Sequence, residues 1–288
     1  MNVAQRPDEL EPARRAVAIG TFDGVHRGHR RVLEAALSAG LRSAVVTFDP
    51  HPRTYFGGDV QLLTTLDRRL ELLEQLGIED VLVCRFDAET AELSAEDFAE
   101  SVLRAAGAEV VAAGDGFRFG RGRTGDLALL DRLGFDARRV PLVDNVSSSH
   151  IRALLAAGDV VHAAHLLGRP PEVEGEVVTG DRRGAGLGFP TANLATPADL
   201  LVPALGIYAG SALGHPAAIS IGTNPHYGGS ERRVEAHLID YDGDLYGERL
   251  LVELWERLRD EAAFGSEAEL VDAIAADVRR TREAKRPT

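Results

Sequence analysis

Residues 20–29 constrain the fold of this chain more strongly than any other segment. They read Gly-Thr-Phe-Asp-Gly-Val-His-Arg-Gly-His and directly follow the apolar run 16–19. In residues 30–39, apolar side chains then recur at the spacing of one helix face. The pattern predicts a buried strand, a turn, and a helix that begins beside His26 and His29.

A helix N-terminus with two histidines favours an anionic ligand, because its free N–H groups and the helix dipole stabilise negative charge. A metal bound by both imidazoles, or two histidines on the surface, are the alternatives for this segment taken alone. The only lysine is Lys285, and the chain has no G-x-x-x-x-G-K-[ST] motif. Phosphates would therefore be bound by backbone N–H groups, arginine, histidine and a metal ion.

Composition narrows the partners and the location. A formal net charge of −13 over 288 residues disfavours a long polyanion such as nucleic acid. No apolar run approaches the ~18 residues that a bilayer span needs, so we expect a soluble protein with no membrane partner. The single cysteine, Cys84, lies in an apolar run and is predicted to be a buried strand thiol, not a reactive one. A reducing cytoplasm fits this cysteine usage.

The first half of the chain alternates between strand-like and helical patterns, which is typical of a doubly wound parallel sheet. The predicted strands are 16–19, 43–48, 81–85, 109–113 and 138–143, and the predicted helices are 29–39, 67–76, 95–106 and 126–133. Polar or aromatic loops follow three of the strands, at 20–24, 48–52 and 114–120. Ligands of such sheets bind beyond the carboxyl ends of the strands, so we expect these loops to converge.

The pattern changes after residues 168–171, which read as a linker that follows two short helices. The helices are predicted at 148–157 and 159–167. Short segments rich in Val, Ile and Tyr then predict a small antiparallel barrel with strands near 173–179, 206–212, 217–221, 233–240 and 249–255. The sequence therefore predicts two domains, an α/β sheet followed by a β-barrel.

Two local signals complete the barrel half. Asp242-Gly243 is typical of a tight turn and predicts a hairpin between the last two strands. Ser266 followed by Glu269 predicts the cap of a final helix. Its Leu270, Ile274 and Val278 lie at helical spacing and predict an apolar seam against the barrel.

Two further segments before the linker carry side chains suited to a nucleotide or a flat ligand. Ser147 to Ser149 open a helix with hydroxyl groups, and Arg152 lies one turn into it, where a guanidinium can pair with phosphate. Taken alone, an ordinary helix cap with a surface arginine explains that segment better. The rings and prolines of 48–52 and 117–119 can enclose a flat ligand, although buried rings more often form core.

The barrel half carries a glycine-rich segment, 180–188, followed by Phe-Pro-Thr-Ala-Asn at 189–193. Thr191 and Asn193 offer neutral oxygens. A Mg²⁺ ion that bridges phosphates can take such ligands, because the nucleotide supplies the negative charge. Glu235 alternates with apolar neighbours along a predicted strand, so its side chain lies on the face opposite to theirs. Without further information, an exposed strand carboxylate is the simpler interpretation of Glu235.

These motifs, taken together, resemble the bacterial bifunctional riboflavin kinase/FAD synthetase family, from about residue 14 to residue 282. The first half is similar to the FMN adenylyltransferase module through 20–29, 48–52, 117–120 and Ser147-Ser148…Ile151-Arg152. The second half is similar to the flavokinase barrel through 188–194, 221–225, Val234-Glu235, 244–247 and 257–259. The resemblance implies an adenylyltransferase domain at 14–170 and a riboflavin kinase domain at 171–288.

The resemblance also implies roles for single residues. His26 and His29 would face the ATP phosphates in adenylyl transfer, Thr191 and Asn193 would hold Mg-nucleotide, and Glu235 would be the kinase base. Further ATP or phosphate contacts are implied for Gly20, Phe22, Asp23, Gly24, Gly28, Ser148, Ser149, Arg152, Gly180, Gly188 and Pro190. Flavin contacts are implied for Phe48, Pro50, His51, Phe117, Arg118, Phe119 and Arg259.

The implied cofactor is Mg²⁺, with ATP as co-substrate and FMN and FAD as product or substrate. Riboflavin, FMN and ATP would be the partners, no nucleic acid or membrane is expected, and a weak homo-oligomer stays open. Where the family has an arginine before Phe-Pro-Thr this chain has Ala185, and His226 replaces a threonine. Two alternatives follow: a monofunctional FMN adenylyltransferase whose barrel only binds flavin, or a non-catalytic flavin-binding protein.

Overall fold

The computed structural model describes residues 1–180, 186–223 and 232–287. The chain divides into two compact units, Met1–Val60 with Thr65–Val146, and Gln61–Thr64 with Ser147–Thr288. The first unit contains a six-stranded sheet and the second a closed six-stranded barrel. The predicted fold class, a parallel α/β sheet followed by an antiparallel barrel and a final helix, is confirmed.

The sheet of the first unit is parallel throughout, in the order β1-β4-β3-β2-β5-β6. Its strands are β1 Asn2–Ala4, β2 Arg15–Ile19, β3 Arg42–Asp49, β4 Asp80–Arg85, β5 Ala108–Gly114 and β6 Asp136–Val140. β2 lies between β3 and β5, so the direction of winding reverses there. The loops after β2, β3 and β5 therefore leave neighbouring strands at one edge, as predicted.

Helices cover the sheet, and its strands alternate between two apolar cores. The helices are α1 Arg27–Leu37, α2 Pro52–Tyr55, α3 Leu66–Gln75, α4 Ala88–Glu92, α5 Ala95–Phe98 with a π-helical continuation Ala99–Arg104, and α6 Leu127–Arg132. Val17 and Ile19 of β2 pack into one core, and Ala16 and Ala18 into the other. β1, α2 and α4 were not predicted, because elements of three to five residues are too short for a periodic signal.

A buried ion cluster joins the strands at the amino-terminal edge of the sheet. Asp80 is fully buried and accepts hydrogen bonds from Arg15 Nε at 2.7 Å and from Arg42 Nε at 2.6 Å. Burial alone would raise the pKa of Asp80, but the hydrogen bonds from Arg42 and Arg15 hold it below its ordinary value. Cys84 of β4 is buried, and burial raises its pKa to about 12, so the predicted inert strand thiol is confirmed.

The barrel closes in the order β10-β11-β8-β7-β12-β9, with every pair antiparallel. Its strands are β7 Glu172–Val178, β8 Ala192–Ala195, β9 Gly206–Ala212, β10 His215–Thr223, β11 Arg232–Leu238 and β12 Arg249–Arg259. β8 was not predicted, because the strand is only four residues long and begins two residues after Pro190.

The hairpin predicted at Asp242-Gly243 is wrong, because β11 and β12 are not neighbours in the barrel. A tight two-residue turn instead joins β9 to β10 at Leu213 and Gly214. Both residues have positive φ, 52° and 81°, as the primed hairpin turns require. A dipeptide signal identifies a turn but not which strands will pair across it.

Two helices before the barrel, α7 Ser148–Ala156 and α8 Val160–Leu167, belong to the second unit. Ile151, Leu155 and Val160 share one apolar core with the barrel residues Val173 and Tyr208. The compact units therefore divide after residue 146, whereas the predicted boundary between the two activities lies at 170. That boundary stays a prediction.

The last helix, α9 Glu267–Glu283, packs on β9 and β10. Its predicted cap is confirmed, since Ser266 Oγ accepts a hydrogen bond from the Glu269 N–H at 3.2 Å. The predicted apolar seam is only half-buried, and the most buried positions are polar, Asp277 and Thr281. In the part of the chain that the structure describes, no helix combines the length and apolar character of a membrane span.

Candidate functional sites

The first candidate site follows β2 and lies within ten residues of chain. Phe22, Gly24 and Val25 all have positive φ, at 49°, 83° and 40°. This conformation is costly for phenylalanine and more so for the β-branched valine, so the surrounding structure must enforce it. The side chains of Phe22 and Val25 are buried in the core between sheet and α1. Core packing therefore holds the turn 20–25 in the one shape that leads into α1.

His26 and His29 occupy the start of α1, as predicted. His26 Nδ1 accepts a hydrogen bond from the His29 N–H at 3.1 Å, so His26 is itself the N-cap. The two rings stack with centroids 3.5 Å apart and an interplanar angle of 12°. A side chain at Gly28 would lie 3.2 Å from the His26 ring, which explains the glycine between them. Because Nδ1 of His26 accepts a hydrogen bond, the ring proton of the neutral imidazole lies on Nε2.

Aromatic side chains of the same unit cluster at the end of β3 and after β5. Phe117 stacks on Phe119 with centroids 5.6 Å apart, and Phe48 lies 6.2 Å from Phe98. Phe48 and Phe119 are buried, whereas Phe117 is half-buried. The predicted flavin residues are therefore split between core and surface.

The polar members of that predicted set make local contacts. His51 Nδ1 accepts a hydrogen bond from the Arg53 N–H at 3.1 Å and caps α2 after the cis peptide Asp49-Pro50. Arg118 is exposed and donates to its neighbour's carbonyl, Phe117 O, at 2.9 Å. Residues Tyr55 and Phe56, which the sequence reasoning missed, are also exposed rings in contact with Phe86.

The serine-rich start of α7 belongs to the second unit. Ser147 Oγ accepts a hydrogen bond from the His150 N–H at 3.2 Å, so Ser147 is the cap. Ser148 and Ser149 are the first two residues of the helix. Arg152 Nε donates to Gln61 O at 2.6 Å, which is a structural contact. The predicted clamp of Arg152 with the histidines of α1 joins residues of two separate units and stays a prediction.

The second candidate site is a cavity of about 240 Å³ in the barrel unit. Gly180, Pro190, Thr191 and Asn193 line it, so four predicted nucleotide or metal residues share one cavity. The cavity is also lined by residues for which no site role was predicted, although the resemblance includes 244–247: Tyr241, Gly243, Asp244, Leu245 and Tyr246. Gly188, although described, is not among the lining residues.

Strand register places Glu235, which is not itself a lining residue, beside two polar residues that line this cavity. Glu235 of β11 pairs with Asn193 of β8, and Thr191 Oγ1 donates to Glu235 Oε2 at 3.4 Å. Val234, Ala236 and Leu238 are buried in the barrel core, so the predicted opposite face for Glu235 is confirmed. A side chain at Gly180 would overlap the amide of Asn193, so the glycine leaves that amide its place.

Arg233 is a member of this cluster that sequence reasoning missed. Its Nε lies 2.8 Å from Glu235 Oε1 and donates to Asn193 Oδ1 at 2.9 Å, and its Nη2 donates to the same oxygen at 2.6 Å. The signal was present, because Arg233 lies two residues before Glu235 and so on the same face of the strand.

Three positions that the sequence analysis singled out are not seen at the cavity. Arg259 pairs with Asp277 of α9, with Nη2 to Oδ2 at 2.7 Å, and lies over the Phe264 ring. Arg259 is not among the residues that line the cavity. Because it is paired with Asp277, any contact with a flavin would compete with this ion pair. Ala185 and His226, the two departures from the family pattern, lie outside the described residues. Over the described ranges, no group of three or more His, Cys, Asp or Glu side chains is placed to hold a metal.

Comparisons with known proteins agree with the two-part organisation. The family model for FAD synthetase matches residues 8–152, and the model for riboflavin kinase matches residues 167–285. The bifunctional riboflavin kinase/FMN adenylyltransferase of Escherichia coli K12 is 37% identical, with 98% of this chain and 95% of that protein covered. The protein of the same name from Bacillus subtilis is 33% identical, with 93% and 91% covered.

A solved structure shares the whole fold. The crystal structure titled as a macrolide-efflux protein from Streptococcus pneumoniae superposes with a TM-score of 0.87 and is 29% identical. The likeness covers 97% of this chain and 98% of that one. Two family models matched in order, and relatives aligned over nearly the full length, show that the chain belongs to the family of bifunctional riboflavin kinase/FMN adenylyltransferases.

Proposed function

We propose that this protein catalyses two transfers in series. Riboflavin and ATP give FMN and ADP, and FMN and a second ATP give FAD and pyrophosphate. The observation that carries the proposal is the register of β8 and β11, which places Glu235 beside Asn193 and Thr191, two residues that line the barrel cavity. A barrel that only bound flavin would need no carboxylate beside a pair of neutral oxygen ligands.

In the kinase step, Glu235 accepts the proton of the ribityl 5′-hydroxyl while that oxygen attacks the γ-phosphorus of ATP. A new oxygen–phosphorus bond forms, the bond from γ-phosphorus to the β–γ bridging oxygen breaks, and ADP leaves. The half-buried position of Glu235 beside Thr191, which lines the cavity, supports this role.

The residues around Glu235 fit a magnesium ion. Thr191 Oγ1 and Asn193 Oδ1 are hard oxygen donors that lie within one hydrogen-bonded cluster, and Glu235 adds negative charge. A cation already lies against Asn193 Oδ1 and Glu235 Oε1, namely the Arg233 guanidinium. Bound Mg²⁺ would neutralise charge on the phosphates. Gly180 and Pro190 would shape the wall beside the nucleotide.

The adenylyl step would take place at the start of α1. The FMN phosphate is already an anionic nucleophile, so it attacks the α-phosphorus of ATP without a base, and pyrophosphate leaves. His26, His29 and the first N–H groups of α1 supply hydrogen bonds and positive potential to the phosphates, with Arg152 as the further cation. The turn 20–24 and Gly28 let the backbone approach, and Ser148 and Ser149 offer hydroxyls.

The flavin would lie among the rings at the end of β3 and after β5. Phe117 and Arg118 have accessible surface, whereas Phe48 and Phe119 can offer only an edge, and Pro50 and His51 shape the turn beside them. In the barrel, Arg259 is the proposed flavin contact. We assign residues 14–170 to adenylyl transfer and 171–288 to the kinase. We place both reactions in a reducing cytoplasm, with small molecules as partners and at most weak self-association.

One assay separates the proposal from its rivals. Purified full-length protein is incubated with riboflavin, ATP and Mg²⁺, and FMN and FAD are separated by chromatography; a parallel sample begins from FMN. We expect both products from riboflavin, and neither when EDTA removes the metal. FAD formed only when FMN is supplied would favour the monofunctional alternative. Tight flavin binding without any product would favour the non-catalytic one.

A further inference from the structure

The Arg233 guanidinium lies against Asn193, one of the residues that line the barrel cavity. Two of its N–H groups donate to a single atom, Asn193 Oδ1, at 2.9 and 2.6 Å. The Nε atom also lies 2.8 Å from Glu235 Oε1. The same side chain therefore binds the proposed metal ligand and the proposed base at once.

Hydrogen-bond capacity makes this arrangement incompatible with a metal on Asn193. An amide oxygen has two lone pairs, and the two N–H groups of Arg233 use both. A metal ion needs one of them, and a divalent cation at that distance would also repel the guanidinium. Arg233 must leave Asn193 before the oxygen can coordinate Mg²⁺.

The position of Arg233 allows it to leave. Its side chain keeps 26% of its surface exposed, whereas Asn193 is 7% exposed and held in the barrel wall. Arginine has several rotatable bonds and can move toward solvent without moving the strand. The mobile partner of the cluster is therefore the cation.

We propose that Arg233 is a latch: in the nucleotide-free barrel it occupies the place of the metal between Asn193 and Glu235, and Mg-nucleotide binding displaces it. This inference rests on the proposed kinase function. The latch keeps two acceptors satisfied while the site is empty, and it lowers the apparent affinity for Mg-nucleotide by the fraction of molecules in which it is closed. Arg233 is thus a positioning residue that sets when the kinase site accepts its nucleotide.

The test measures binding as well as activity. Mg-ADP is titrated calorimetrically into full-length wild-type protein, and the binding event that Thr191→Ala weakens is assigned to the barrel. For a latch closed in about 70–90% of molecules, Arg233→Gln should tighten that event by about three- to tenfold. The Mg²⁺ concentration that gives half-maximal FMN formation should fall by a similar factor. Arg233→Lys, which keeps the charge but cannot bind both acceptors in the same fork, should give an intermediate value.

Arg232→Gln is the matched control, because it removes the same charge from the neighbouring position. Arg232 donates to Val202 O and Pro203 O and is not among the partners described for Asn193 or Glu235. The affinity of the Arg232→Gln variant for Mg-ADP should equal that of the wild type. Thermal melting of each variant checks that the barrel is folded.

The outcomes separate the two levels of inference. If Thr191→Ala weakens an event and a folded Arg233→Gln binds Mg-ADP no more tightly than wild type, the latch is wrong and the kinase site stands. Weaker binding in Arg233→Gln would show instead that the arginine contacts the nucleotide, which also overturns the latch. If Thr191→Ala changes no event, the metal site itself is wrong and the latch falls with it.

Discussion

The two candidate sites are built in opposite ways. The site after β2 lies within residues 20–29, and one histidine there caps the helix that carries the other. The barrel site takes Gly180, Thr191, Asn193 and Glu235 from segments far apart in the chain, and the pairing of β8 with β11 brings them together. The first site requires only that its own turn and helix pack against the sheet. The second site forms only when the barrel closes and pairs β8 with β11.

The largest effect on this comparison should come from Glu235→Gln. Loss of the base should lower FMN formation by roughly 10²–10⁴, because the carboxylate acts mainly in the transition state. FAD formation from FMN should stay within about twofold, since the histidines are in the other unit. Steady-state rates of both reactions check this. Glu248→Gln, at an exposed loop position, is the control. An equal loss of both activities would contradict the two-site assignment.

The sheet unit should be most sensitive at its buried ion cluster. Asp80→Asn removes the partner of two arginines, one of them, Arg15, fully buried, and should lower the free energy of unfolding by about 3–5 kcal/mol. Urea denaturation followed by circular dichroism measures this. The control is Asp8→Asn, whose pair with Arg6 is exposed on both sides and should contribute less than about 1 kcal/mol. Equal effects of the two variants would mean that burial of the cluster is unimportant.

The same cluster predicts a pH dependence. Because the pKa of Asp80 is lower in the folded protein than in the unfolded chain, its stabilisation is complete above the unfolded value. It is lost as the pH falls through the folded value, in the acid range below the ordinary aspartate pKa. Unfolding titrations of wild type and Asp80→Asn should therefore converge on acidification. A difference that stays constant as the pH falls would contradict the assignment.

Next in size is His29→Ala, which tests the local site. Removing one preorganised donor should lower FAD formation from FMN by about 10²–10³, and riboflavin phosphorylation should remain within a few-fold of wild type. His162→Ala, an exposed histidine of α8, should change neither rate. The alternative of a histidine metal pair predicts in addition that Zn²⁺ protects wild-type protein, but not His29→Ala, against thermal unfolding.

The smallest effect concerns the boundary between the units. A fragment of residues 1–170 keeps both cores of the sheet but deprives α7 and α8 of their barrel partners Val173 and Tyr208. We expect it to fold, to bind an apolar dye more strongly than the full chain, and to form FAD about tenfold more slowly, because α7 is only partly ordered. Full-length activity in the fragment would show that these helices need nothing from the barrel.

Much of this structure was predictable because its signals are local. Period-two and helical patterns placed five sheet strands and five barrel strands to within a few residues, and the run from 16 to 37 predicted strand, turn and helix together. The positions of His26 and His29 followed from that run. The face of Glu235 followed from alternation along one strand, which needs no knowledge of its neighbours.

The remaining features depend on pairs of residues distant in the chain, which local patterns do not encode. Alternation gives the face of a strand but not the strand with which it pairs. The pairing of Glu235 with Asn193, and the fact that β11 and β12 do not pair, are therefore consequences of barrel closure. Asp277 of α9 is buried where it pairs with Arg259 of β12, whereas the helical pattern had predicted Leu270, Ile274 and Val278 as the buried positions. The place of Arg233 between an amide and a carboxylate is likewise a consequence of register. Chemistry carried by one turn is written in consecutive residues, whereas chemistry shared between strands exists only once the chain has folded.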